Sequence, residues 1–279
     1  MRSGMRNKVQ EISLKWYYTL GRVLCFYIGC IVIFAAISGL TKSLSGRIAD
    51  HITMFLATLL TFLLILLFVR WEKLSLNDVG LIPGRKSASR FFTGYLIGLA
   101  MAITQAMIVL GFGHSQLIFI TTITTGKIFS SLLLFFLVAA REELVFRSYA
   151  LRSLSYVLKA GIALTIITII FILEHVVAGM TWEMAIVGIG MGGVLFGLAA
   201  LRTRGLALPL GLHSAWNFGQ WSMGFKGEPG IWEAIIEKGY ETRVQNVGML
   251  AFVLVMLLAI AGILVFYKTK ESQRKRASR

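Results

Sequence analysis

The chain has 279 residues, of which 57% are hydrophobic and 15% charged, and its mean hydropathy is +0.77. This composition is typical of a protein that lies in a lipid bilayer, and it excludes a secreted disulfide scaffold, a soluble two-domain enzyme and a disordered tail protein. The net charge is +15, from 28 Lys and Arg against 13 Asp and Glu. In a membrane protein such an excess is expected in cytoplasmic loops, so nucleic-acid binding is not the first inference.

Eight apolar stretches predict an all-α, polytopic integral membrane protein of about eight transmembrane helices, with one membrane-embedded domain over residues 1–279. The longest connection, residues 223–246, includes IWEAIIEKGY, for which we expect a short interfacial helix. The first run is too long for a signal peptide and no cleavage pattern follows it, so we expect no cleavable signal. The stretches are 23–40, 52–69, 91–113, 127–150, 160–180, 184–201, 205–222 and 247–267.

The distribution of Lys and Arg predicts the orientation of the chain. If eight helices alternate, most of the 28 cations fall on one side of the membrane. The positive-inside rule then predicts a cell-membrane protein with both termini in the cytoplasm. The C-terminal KTKESQRKRASR is expected to be an orientation anchor, with binding of anionic lipid or RNA as the alternative. The cations of this side lie in the tail up to Arg22, in 70–90, 141–159 and 202–204, and after 267.

Several reactive residue types have plain structural interpretations. Cys25 and Cys30 lie in the first apolar run, do not share a helix face well and are interpreted as packing residues. His51 and His114 lie at the edges of apolar stretches without matching partners, and we assign them no role. GIGMGG at 188–193 is typical of close helix packing, and no motif predicts a nucleotide site.

The first group of polar residues inside an apolar stretch is REELVFR, residues 141–147. A charge at the middle of a membrane helix costs about 2.5–3.5 kcal/mol, so such a residue indicates function. Glu143 and Arg147 are four residues apart and are expected to pair on one helix face. Glu142 is rotated by about 100° and is left free for proton transfer. The alternative is a charged helix end at the membrane interface.

Two further groups lie in later apolar stretches. His175 follows Glu174 deep in the fifth stretch, with Phe171 one turn earlier on the same face. His213 and Asn217 are also four residues apart, so both side chains project from one face and suit the stabilisation of an oxyanion. The alternatives are a buried histidine with a structural hydrogen bond and a polar contact that joins two membrane helices. Together, the three groups supply the residue types that amide hydrolysis needs.

The blocks Glu142-Glu143-x-x-x-Arg147, Phe171-x-x-x-His175 and His213-x-x-x-Asn217 resemble the signatures of a known family. It is the CAAX protease and bacteriocin-processing family of intramembrane endopeptidases, which includes the type II CAAX prenyl endopeptidases. The resemblance covers about 125–222 and is closer to the bacterial branch. It implies that Glu142 and His175 activate a water molecule, that Glu143 pairs with Arg147, and that His213 and Asn217 form the oxyanion hole around an intramembrane cavity.

The resemblance also implies the substrate class: a membrane-associated peptide or protein, in CAAX-type processing or in bacteriocin-related maturation or immunity, with the bilayer as the other partner. We expect no nucleic acid or nucleotide. Family members have been described both as glutamate proteases and as metalloproteases. A divalent metal such as zinc is not required, and if one is present, Glu142, His175 and His213 are its expected ligands. The alternatives are a non-catalytic immunity or scaffold protein and a small-solute transporter.

Two points stay open in the sequence. Glu174 is an acid that the motifs do not require, and it is expected to pair with Arg141 or another cation, or to orient an imidazole. The predicted boundaries also place His175 about 21 Å from the cytoplasmic end of its helix and His213 only about 10–12 Å from the same end. The three blocks meet only if the helices tilt or if these boundaries are wrong.

Overall fold

The computed structural model describes residues 16–277 of the chain, with the side chains of residues 16–266. This part folds into eight continuous helices and two short strands. In chain order they are α1 (Trp16–Thr41), α2 (Gly46–Trp71), α3 (Ser87–Phe112), β1 (Ser115–Phe119), α4 (Thr125–Glu142, continued by the π-helical Glu143–Ala150 and by Leu151–Val157), α5 (Ala160–Val177), α6 (Trp182–Met184, continued by the π-helical Ala185–Ile189 and by Gly190–Thr203), α7 (Ala207–Ser222), β2 (Trp232–Ile236) and α8 (Glu241–Ala277).

Six helices of the described chain, α1, α2, α3, α5, α6 and α8, are long and apolar enough to cross a membrane. The other two, α4 and α7, are interrupted by the polar residues of the first and third blocks. Large apolar side chains such as Leu40, Val177 and Leu250 point away from the bundle, as expected of surfaces that face lipid tails. The all-α, polytopic membrane architecture is thus confirmed.

Successive helices are antiparallel because their connections are short, so the connections lie at two ends of the bundle. One end carries the connections 72–86, 158–159 and 204–206, and we call it the basic end. Hydrogen bonds from Tyr156 to the Asp78 carbonyl and from Arg90 to the Thr203 carbonyl hold these segments together. The opposite end carries β1 and β2, and we call it the strand end. Which end faces the cytoplasm stays a prediction of the positive-inside rule.

The expected interfacial helix within 231–240 is wrong, since this segment forms β2. β2 pairs antiparallel with β1, from Ser115 opposite Ile236 to Phe119 opposite Trp232. The β-branched Ile235 and Ile236 favour a strand. A strand of this length becomes stable only with a partner, and the partner lies more than a hundred residues earlier in the chain.

Glycines bring α3 and α7 into backbone contact. A Cβ atom at Gly211 of α7 would overlap the carbonyl oxygen of Phe91, and a Cβ atom at Gly98 of α3 would overlap that of Leu212. Only glycine permits this approach, as in the small-residue interfaces of other membrane helices. Because α7 carries His213, its contact with α3 fixes the position of the third block.

The glycines and cysteines interpreted from the sequence lie as expected. Gly193 of α6 packs against Thr168 of α5, where an added Cβ atom would lie 3.0 Å from a Thr168 methyl carbon. The interpretation of GIGMGG as a packing segment is therefore confirmed. Cys30 is buried, whereas Cys25 lies on the exposed face of α1.

Candidate active site

Glu143 lies at the centre of the polar contacts between α4 and α7. Its side chain is 1% exposed, and its Oε1 accepts a hydrogen bond of 2.9 Å from Nδ1 of His213. Nη1 of Arg147 lies 3.6 Å from the same carboxylate oxygen. The predicted pairing of Glu143 with Arg147 is present, and His213 joins it from another helix.

His213 lies between the two adjacent carboxylates of α4. Its ring stacks on Phe196 with centroids 4.3 Å apart, and its Nε2 is 3.7 Å from Oε2 of Glu142. A carboxylate only accepts hydrogen bonds, so Nδ1 of His213 carries a proton and donates the hydrogen bond to Glu143. Nε2 therefore faces Glu142, whose side chain is 12% exposed against 1% for Glu143. The two carboxylates thus occupy different environments, as the sequence predicts.

The backbone of α4 changes from α-helical to π-helical at Glu143. The helix is π-helical from Glu143 to Ala150, with Ser148 at a non-helical φ of −85° and ψ of −109°. π-Helical turns inside α-helices occur mostly at functional sites. The wider turn explains why Glu143 and Arg147 lie 3.6 Å apart instead of at hydrogen-bond distance. The sequence pattern of α4 reads as an ordinary α-helix and does not reveal this segment.

Arg147 is enclosed by three aromatic rings. Its guanidinium carbon lies 4.3 Å from the ring centroid of Phe171, 5.4 Å from that of Phe146 and 5.7 Å from that of Phe196. Nη1 and Nη2 are buried and have no hydrogen-bond partner among the described residues. Cation–π contacts therefore supply much of the compensation for this buried charge, and they link α4 to α5 and α6.

His175 lies on α5, where its contacts are with Phe171 and not with Glu142. Its Nδ1 donates a hydrogen bond of 2.9 Å to the carbonyl of Phe171, and the two rings meet edge to face at 4.7 Å. This bond places the proton on Nδ1 and leaves Nε2 as an acceptor. Within residues 16–266, no hydrogen bond or ion pair joins His175 to Glu142. The described structure thus brings together the first and third blocks directly and the second through Phe171 and Arg147.

Glu174 pairs with Arg141, one of the alternatives that the sequence left open. Nη1 of Arg141 lies 2.8 Å from Oε1 of Glu174, and the hydroxyl of Tyr27 donates to Oε2 at 2.8 Å. Arg141 also lies over the ring of Phe34, 4.4 Å from its centroid. Because Arg141 precedes Glu142 and Glu174 precedes His175, this ion pair places both neighbours at one level of the bundle.

The predicted mismatch in depth did not come from the boundaries of α5 and α7, since these helices begin at Ala160 and Ala207, close to the predicted 160 and 205. The predicted fourth span ends at 150, whereas α4 continues to Val157. Glu142 lies 15 residues from this end of α4, and His175 lies 15 residues from Ala160 at the start of α5. At 1.5 Å per residue, His175 lies about 22 Å from the start of α5, and Glu142 lies at most this far from Val157, because a π-helical segment separates them. His213 lies only six residues after Ala207, yet its Nε2 is 3.7 Å from Oε2 of Glu142, so α7 begins deeper in the bundle than α5.

Asn217 lies one turn after His213, and a residue that the sequence analysis missed holds its side chain. Nζ of Lys226 donates a hydrogen bond of 2.9 Å to Oδ1 of Asn217. The sequence analysis assigned Lys226 no role, because no motif in the connection after α7 indicates a contact with the site. Lys226 is an exposed residue, and its ammonium contacts Asn217. The lost hydration lowers the pKa of Lys226, while the charge of Glu142 raises it.

The predicted metal ligands do not come together as a set. Glu142 and His213 are neighbours, but Nδ1 of His175 is bonded to a backbone carbonyl. Among the described residues, no group of three His, Cys, Asp or Glu side chains is arranged to hold a metal ion. The arrangement does not fit the zinc ligands expected from the sequence.

Comparison with known proteins identifies the region that carries these residues. Residues 124–219 match the family model described as type II CAAX prenyl endopeptidase Rce1-like. No curated protein matches the chain. The match confirms the resemblance to the CAAX protease family, and it contains all three sequence blocks. Protease activity at this general level follows from the family, together with a multi-pass position in the membrane.

Proposed function

We propose that this protein is an intramembrane endopeptidase that hydrolyses a peptide bond of a membrane-associated protein or peptide, in CAAX-type processing or in bacteriocin-related maturation or immunity. The observation that supports this most is the position of His213 between Glu142 and Glu143. A histidine between a buried and a partly accessible carboxylate, contributed by two helices, is an arrangement for proton transfer inside a membrane.

The attacking water is activated by Glu142. An oxygen atom at about 2.8 Å fits beside both Oε2 of Glu142 and Nε2 of His213, since these atoms are 3.7 Å apart. Glu142 accepts a proton from this water, and the water oxygen attacks the carbonyl carbon of the substrate. His175, whose Nε2 is an acceptor, takes the second hydrogen bond of the water and orients it.

The tetrahedral oxyanion is stabilised by His213 and Asn217. His213 donates from Nε2 while Nδ1 remains bonded to Glu143, so the imidazole acts as a cation balanced by that carboxylate. Asn217 donates from its NH2 group. When the C–N bond breaks, the proton on Glu142 passes to the leaving amine, which regenerates the carboxylate.

Proteolysis by the purified full-length protein in lipid vesicles tests this proposal. The substrates are a lipidated peptide with a CAAX C-terminus and a library of membrane-anchored peptides, analysed by mass spectrometry. We expect turnover by the wild type and a loss of about 10²–10⁴-fold in Glu142→Gln. Glu183→Gln is the matched control, because Glu183 is exposed at the strand end, and we expect wild-type activity from it.

Two results would overturn the assignment. Equal turnover in Glu142→Gln and the wild type would remove the general base, and no cleavage of any substrate by a folded wild type would contradict the protease function. Repeating the same assay with a chelator tests whether a metal ion is needed. We expect activity to persist, because the proposed catalysis uses side chains alone.

A further inference from the structure

Lys226 enters the site from outside the region that matches the family. It lies in the connection between α7 and β2, beyond residue 219. Its ammonium donates to Oδ1 of Asn217 at 2.9 Å and lies 5.9 Å from the ring centroid of Phe135 on α4. The ammonium therefore lies beside α4 and α7, on the side of Asn217 that faces the strand end.

The connection that carries Lys226 is held in place on both sides. Glu228 accepts hydrogen bonds from Arg47 of α2 and from Nε1 of Trp221 of α7, each at 3.1 Å. Gly224 has a φ of +74°, and a Cβ atom there would lie 2.9 Å from the nitrogen of Ala234 in β2. Because both flanks are fixed, Lys226 is directed inward by the backbone.

The contact determines which way the Asn217 carboxamide faces. An ammonium group only donates, so the atom that faces Lys226 is the carbonyl oxygen, and the NH2 group faces the opposite direction. Asn217 is 8% exposed, and its NH2 group has no hydrogen bond with another described residue. Rotation by 180° would present the carbonyl oxygen where the NH2 group now lies, and an oxygen there would repel an oxyanion.

We propose that Lys226 is a positioning residue for the hydrolysis, which holds the Asn217 carboxamide with its NH2 group directed at the oxyanion. This inference rests on the proposed function and adds a residue outside the three sequence blocks. Lys226 acts through Asn217 and does not itself touch the substrate.

A double-mutant cycle tests this role in the vesicle assay. We expect Lys226→Met to lower kcat by about 10–100-fold with little change in KM, less than the full loss of an oxyanion donor. In an Asn217→Ala background, Lys226→Met should have no further effect. Lys226→Arg should restore part of kcat, because a guanidinium is also a pure donor. Lys238→Met, at an exposed lysine between β2 and α8, is the control.

Results that contradict the positioning role differ from results that contradict the proposed function. An unchanged kcat in Lys226→Met, a rise in KM alone, or a further loss in the Asn217→Ala background would each overturn the positioning role, and the last would assign Lys226 direct contact with substrate. Absence of turnover in the wild type would instead contradict the proposed function.

The contact itself has a readout that needs no turnover. Acylation of lysines by an amine reagent, followed by mass spectrometry, should show faster labelling of Lys226 in Asn217→Leu than in the wild type, with Lys127 unchanged. Equal rates at Lys226 in both proteins would overturn the inference on their own.

Discussion

Helix α4 forms two interfaces whose polar residues are paired in different ways. In the α4–α7 interface, Glu142, Glu143 and His213 approach one another directly, so three titratable groups share one small volume. In the α4–α5 interface, Arg141 and Glu174 form an ion pair, so each charge is neutralised by the other. We propose that the first interface serves proton transfer and that the second aligns His175 with Glu142.

The largest expected effect on stability concerns the buried carboxylate of the first interface. Glu143→Gln leaves the enclosed charge of Arg147 without its anion, and breaking a buried pair costs about 3–5 kcal/mol. Glu142→Gln is the matched control, since Glu142 is more exposed and its nearest cationic partner, His213, is at 3.7 Å. Thermal unfolding in detergent should show a clear loss for Glu143→Gln only. Equal stability of the two variants would contradict the conclusion that the two carboxylates occupy different environments.

The next effect tests whether α3 fixes the first interface. Gly211→Ala forces α7 away from the backbone of α3, and such overpacking costs about 1–3 kcal/mol. Gly39→Ala in α1 is the control, because no atom lies within 4 Å of its added Cβ. That substitution should stabilise its helix by about 0.5–1 kcal/mol. Opposite signs of the two changes in unfolding temperature are expected, and the same sign would contradict the contact.

The second interface is tested by its ion pair. Arg141→Gln or Glu174→Gln alone leaves an unpaired charge, which we expect to displace His175 and to lower kcat by about tenfold, equivalent to about 1.4 kcal/mol. The double variant Arg141→Gln, Glu174→Gln leaves neither charge, so its kcat should exceed that of either single variant. Additive losses in the assay of kcat would show that the two residues act independently.

The smallest effect concerns the hydroxyl that completes this pair. Tyr27→Phe removes one hydrogen bond to Glu174 and should cost about 0.5–1.5 kcal/mol of unfolding free energy. A normal kcat together with this modest loss would confirm that Tyr27 supports the pair only structurally. A loss of kcat as large as that of Glu174→Gln would assign the hydroxyl a part in aligning His175.

The sequence predicts the features that depend on local pattern. Long apolar stretches gave eight helices, and the i, i+4 spacing put His213 and Asn217 on one face of α7. Features that depend on distant partners were not predicted. β2 requires β1, Lys226 reaches Asn217 only because the connection is held at Glu228, and the end of α4 at Val157 depends on the packing of a polar helix segment.

The position of Glu142 midway along α4 has a consequence for the length of a substrate, if Glu142 is the base that we propose. The carboxylate lies about 22 Å from Val157 and about 26 Å from Thr125 along the helix axis. An extended peptide advances about 3.3 Å per residue, so about seven residues span the shorter distance. Under the proposed function, a substrate that enters alongside α4 from the basic end therefore needs about this length of extended chain between a folded domain and the scissile bond.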